Sequence, residues 1–239
     1  MGWAMAGRRA RVGRASSPLR AAEPRRRGGV LALQRALAVA VAFATIAAAP
    51  PPLRLTPVDA TGLIPYFIAE PVEGSGYRRG DSELATWALR EWERSAGGTL
   101  RFQPTDKEEA ALVRIRWLPW AEDGAVGHTD PFVENQRVIA SIVIRPDEGR
   151  LRPRIRRTVR EDPLMRDVII YFVCLHEIGH ALGLTHSTNL RDIMWSGGSG
   201  VTLPVYDRYR KRVENRDSIA HGSWLSSDDI ARFKAVWKY

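Results

Sequence analysis

The 239-residue sequence predicts an α+β domain over residues 63–239, entered through a linker at 51–62 and preceded by a leader at 1–50. Three observations carry this reading. Before residue 145, short runs of branched and aromatic residues broken by Gly, Pro and Asp read as strands. A nearly unbroken apolar stretch, Val168–Leu175, reads as a helix buried on all sides. The positive charge is also uneven: of the net +9, residues 1–50 hold nine arginines and one acid, whereas the rest carries 27 basic and 26 acidic residues. The folded part is therefore close to neutral, which removes the main support for a nucleic-acid or anionic-surface binder.

Within the leader, arginines precede an apolar run, Ala36–Ile46, and then the small residues Ala47–Ala49, the order of a secretory signal. Ala42-Phe43-Ala44 offers a second cleavage site. The apolar run is shorter than the roughly 20 residues that span a bilayer. A cleaved signal and an exported protein, periplasmic or extracellular, are expected. An uncleaved anchor at 30–49 is the alternative, and only then is membrane contact expected. A single cysteine, Cys174, allows no internal disulfide, which suits a bacterial envelope.

Pro50–Pro52 and Pro57 stiffen the linker, and Leu63–Ala69 is the first strand. After a turn at Gly74–Gly80, Asp81 reads as an N-cap with Glu83 in the first turn. Leu84, Trp87, Ala88 and Trp92 follow at helical spacing until Gly97-Gly98. Strands are expected at Leu100–Gln103, Ala111–Trp117 and Val138–Ile144, with a short extended piece at Gly124–Thr129. The six arginines of Arg150–Arg160 read as a solvated charged loop. Asp162-Pro163 opens the buried helix, with Asp as cap and Pro in the first helical position. Thr202–Ser223 reads as an insertion, either a short helix that shapes specificity or a surface excursion. Ser226 begins a last helix through a capping pattern reaching Asp229, with Ile230, Phe233 and Trp237 on its inner stripe.

The buried helix runs into His176-Glu177-Ile178-Gly179-His180-Ala181-Leu182-Gly183-Leu184-Thr185-His186. Residues four apart differ by about 40° around a helix, so His176 and His180 project side by side. Neutral imidazole nitrogens so placed suit zinc. Glu177 lies about 60° from His180, placed to touch a water on the metal without being a ligand. A continuing helix would carry His186 roughly 15 Å from His176, so the chain must turn back, and Gly183 is the residue that permits it. Three histidines leave the fourth position of a tetrahedral ion open, the arrangement of a catalytic rather than a structural zinc.

This segment resembles the HExxHxxGxxH signature of the metzincin metallopeptidases. Asp192-Ile193-Met194-Trp195 stands where those proteins have their methionine turn, with Met194 eight residues after His186. Ser187 and the opening Leu225–Ile230 of the last helix are similar to the matrixin branch, and Gly127-His128-Thr129 matches its upper strands more loosely. The resemblance implies a metzincin-like fold: a twisted, mostly parallel sheet, two helices above a cleft and a smaller C-terminal helical part below. It implies one catalytic zinc on His176, His180 and His186, and peptide or protein substrates. Peptide-bond hydrolysis would run through a zinc-bound water with Glu177 as general base. A zinc-stabilised module without catalysis is the alternative, and Glu177 speaks against it because a structural site needs no base. Ser196 replaces the zinc-binding tyrosine of astacin-like and serralysin-like relatives. His128 and His221, the two remaining histidines, are too few for the second, structural zinc of animal matrixins. Cys174, about 200° around the helix from His176, reads as core. His128 reads as a strand residue that could contact substrate, and His221 as surface. No sequence feature points to an oligomeric state or to a calcium site.

Overall fold

A computed structural model of the protein describes Leu55 and residues 61–120, 125–196 and 202–237. The expected leader, most of the linker and Gly124 lie outside these residues. No helix among the described residues is long and apolar enough to cross a membrane.

Five strands form one sheet in the order β2-β1-β3-β5-β4, with β1 at Leu63–Ile68, β2 at Arg101–Pro104, β3 at Val113–Trp117, β4 at Gly127–Glu134 and β5 at Arg137–Ile144. The first four in that order run parallel, and β4 closes one edge antiparallel to β5. This is the mostly parallel sheet that the sequence implies. Central β3 is covered on both faces, as parallel strands are. Val113, Ile115 and Trp117 are buried, and so is Arg114, which points the other way and pairs with Glu134.

β4 is longer than the short extended piece expected at 124–129. It continues through Pro131, tolerated because an edge strand has unpaired positions. A two-residue turn, Asn135-Gln136, then leads back into β5, and both residues have positive φ (50° and 63°). That is the geometry of a primed hairpin turn. Gln in place of the usual Gly hides the signal in the sequence.

Helix α1 (Asp81–Ser95) and helix α3 (Pro163–Ala181) pack against each other and the sheet. Trp92 is fully buried between them and donates its indole N–H to the Leu175 carbonyl at 2.9 Å. Asp81 is not the cap of α1. Gly80 holds that position with φ 103°, and Asp81 is the first helical residue. Its carboxylate is drawn instead to buried Arg166 of α3, which grips it through two bonds of 2.7 and 2.9 Å. A guanidinium buried this deeply requires a partner of opposite charge.

The arginine-rich segment expected as a loop contains helix α2 (Pro153–Glu161). Pro153 starts it, and Ile155 and Val159, four apart, are buried on its inner face while the arginines look outward. The 202–223 insertion is likewise ordered as helices α4 (Thr202–Arg210) and α5 (Ser218–His221). Tyr209, Val213 and Ile219 anchor it in the core. The last helix, α6 (Ser227–Val236), carries the expected capping box between Ser226 and Asp229.

Candidate metal centre

α3 carries His176 and His180 on one face near its C-terminal end. Leu182 closes the helix, and Gly183 follows with φ 88°, a left-handed conformation that side chains resist. Amide bonds from Gly183 to the His180 carbonyl (2.9 Å) and from Leu184 to the Gly179 carbonyl (3.0 Å) complete the reversal. His186 is thereby returned to the other two. The Nε2 atoms stand 3.1 Å (His176–His180), 3.1 Å (His180–His186) and 3.3 Å (His176–His186) apart.

Backbone carbonyls fix two of the ring orientations. His176 Nδ1 lies 2.7 Å from the Ile193 oxygen and His180 Nδ1 lies 2.8 Å from the Leu184 oxygen. A carbonyl only accepts, so each Nδ1 carries the hydrogen and each Nε2 presents a lone pair. Burial lowers the pKa of His176 to about 4 and also lowers that of His180, with the neighbouring imidazoles adding to both. Both rings are thus neutral at ordinary pH, the state that binds metal. Four tetrahedral ligands at about 2.0–2.1 Å from zinc sit about 3.3 Å from one another. The three Nε2 separations match that edge, and these histidines could hold a metal ion.

Glu177 is 6% exposed and lines the same cavity as the histidines. Burial raises its pKa to about 7, opposed by a hydrogen bond from Thr129. The Thr129 hydroxyl stands 2.7 Å from Glu177 Oε2. Two residues earlier on the same strand face, Gly127 lets β4 approach closely: a Cβ there would lie 2.5 Å from Val173 Cγ1 and 2.6 Å from Glu177 Oε1.

Met194 is fully buried beneath the histidines. It packs so tightly on α3 that a Cβ on Gly179 would stand 2.3 Å from its sulfur. Its backbone is fixed from both sides. Ser187 donates to the Met194 carbonyl at 2.7 Å, while the Asp229 carboxylate accepts from the amides of Ile193 (2.8 Å) and Met194 (3.3 Å).

The cavity holds about 810 Å³ and extends from the histidines past Phe172, Val173 and Trp195 to Val205, Tyr206 and Tyr209 of α4. The insertion therefore supplies a wall of this cavity and is no mere surface excursion. Tyr209 stacks on Phe172 with ring centres 4.0 Å apart. Burial pushes the Tyr206 phenol up to about 12, so it stays protonated.

Glu177, the three histidines and Met194 are thus brought together. Exposed His128 instead holds Asp130 at 2.9 Å and makes no hydrogen bond to the histidine cluster. His221 is exposed at the end of α5, and Cys174 is buried. Sequence reasoning placed Gly127 and Thr129 on an upper strand but not against Glu177, because their partners lie 46 residues and more away and no local pattern records such a contact.

The family model described as Matrixin matches residues 77–208, more than half of the chain. No curated protein matches significantly. Among solved structures, a chain from the GM1-bound form of the ECX AB5 holotoxin is similar, with a TM-score of 0.51 and 16% identity over 74% of this chain and 80% of that one. At that identity the likeness is one of fold.

Proposed function

The chain belongs to the matrixin family of zinc metallopeptidases, and from that premise we propose that it is an endopeptidase with Glu177 as general base. His176, His180 and His186 would hold the ion through their Nε2 atoms. Zinc, when bound, supplies Lewis acidity toward a water and a peptide carbonyl. Glu177 accepts a proton from the attacking water and returns it to the amine nitrogen as the C–N bond breaks. An extended peptide pairs with the edge of β4, and one of its side chains enters the aromatic-walled cavity beside Trp195. We further propose that the protein works after export, its leader cleaved ahead of the folded domain.

The observation that carries the reading is the convergence of three imidazole Nε2 atoms, 3.1–3.3 Å apart, in one cavity with a buried carboxylate whose pKa burial raises to about 7. Glu177→Gln keeps size and hydrogen bonding but removes the base. Zinc content should stay near one ion per chain, while turnover of a mixed peptide library falls by at least ~10²–10⁴-fold. A Gln variant as fast as the parent would remove Glu177 from the mechanism. A zinc-loaded parent that cleaves nothing would favour the non-catalytic module.

A further inference from the structure

We propose that Thr129 is a positioning residue that holds Glu177 Oε2 and so assigns proton transfer to Oε1; this rests on the peptidase reading above. Side chains alternate along β4, and Gly127 and Thr129 are the two that face α3 at the level of Glu177. The Thr129 hydroxyl has one hydrogen and two acceptors within reach, Oε2 of Glu177 at 2.7 Å and the Glu177 backbone oxygen at 3.0 Å. The carboxylate is the nearer and, when ionised, the stronger acceptor, so the hydrogen belongs to Oε2. Among the described residues, no other side chain donates to this carboxylate.

The need for such a hold follows from the side chain itself. The terminal torsion of a glutamate is broad, with no sharp staggered well to set the plane of the carboxylate. Packing restrains the stem, yet Gly127 leaves space for Oε1 exactly because it has no Cβ to fill it. One bond at Oε2 settles the plane and leaves Oε1 as the oxygen without a donor, lining the cavity with the histidines. General-base catalysis requires its acceptor within hydrogen-bond reach of the proton, and small displacements from that geometry cost about 10²-fold in rate.

The placement on β4 has a second effect. The strand whose edge pairs with the substrate backbone also carries the group that orients the base. Substrate register and base orientation are therefore referred to one strand.

The test compares Thr129→Val, which keeps the shape and removes the hydroxyl, with Thr129→Ser, which keeps the hydroxyl. For Thr129→Val, kcat should fall roughly 10–100-fold with KM changed less than about threefold, at parental zinc content and melting temperature. Thr129→Ser should recover most of the lost kcat. Should the Val variant fold poorly, Thr129→Ala replaces it in the same comparison. An active parent whose Val or Ala variant turns over equally fast overturns the inference alone. A Ser variant as impaired as Val also overturns it, since the hydroxyl would then be irrelevant. A zinc-loaded parent that cleaves no peptide overturns the peptidase reading itself, and this inference with it.

Discussion

Burying Glu177 ought to make the metal-free protein lose stability as pH rises, and Glu177→Gln ought to abolish that loss. The folded carboxyl titrates at about 7 against 4.5 for the ordinary group, chiefly because burial penalises its charge. Between those values the folded state binds more protons than the unfolded one, so stability is full below pH 4.5 and drains away up to about pH 7. At about 1.4 kcal/mol per pH unit, the complete effect is roughly 3 kcal/mol. Gln cannot ionise and still accepts from Thr129. All other groups are the same in both proteins and largely cancel from the difference. Urea denaturation of chelator-treated protein at pH 5 and pH 8 measures it: the variant should gain about 2–3 kcal/mol on the parent across that range. An identical pH dependence in the two proteins would refute the claim that the carboxyl is held in a charge-averse site.

Two further outcomes are expected. Gly179→Ala places a methyl 2.3 Å from the Met194 sulfur and 3.0 Å from Trp92, so the turn beneath the histidines must shift; a loss of about 1–3 kcal/mol by denaturation is expected, together with weaker zinc retention, and an unchanged melting temperature would count against the packing argument. Full-length protein expressed in a bacterium should be found beyond the inner membrane, shortened by roughly 44–49 residues, whereas full-size chain in the cytoplasm would defeat export and full-size chain in the membrane would favour an anchor.

The histidine cluster was legible because its geometry is local. Helical periodicity alone aligns His176 with His180, and Gly183 is the conformational condition for His186 to return. The core of α3 and the capping box of α6 were legible for the same reason. What escaped the sequence depends on distant partners. Asp81 looks like a cap until Arg166, 85 residues later, claims its carboxylate. The arginines around 150–160 look like a loop because only two inward residues, Ile155 and Val159, mark the helix. β4 was expected only as a short extended piece at 124–129, whereas it runs on through Pro131, which a sheet edge tolerates. Thr129 was invisible as a partner of Glu177 since a strand–helix contact leaves no periodic trace.

Asp229 closes two structures with one carboxylate, the start of α6 and the turn carrying Met194. Ser226 adds a bond to Asp192 at 2.8 Å from the same helix entrance. In chain order Ser226 and Asp229 follow His186 by some 40 positions. During synthesis from the N-terminus onward, the histidines are made before the carboxylate that braces the turn beneath them. A polypeptide ending before residue 226 therefore contains all three clustered histidines yet lacks the clasp that fixes the turn beneath them.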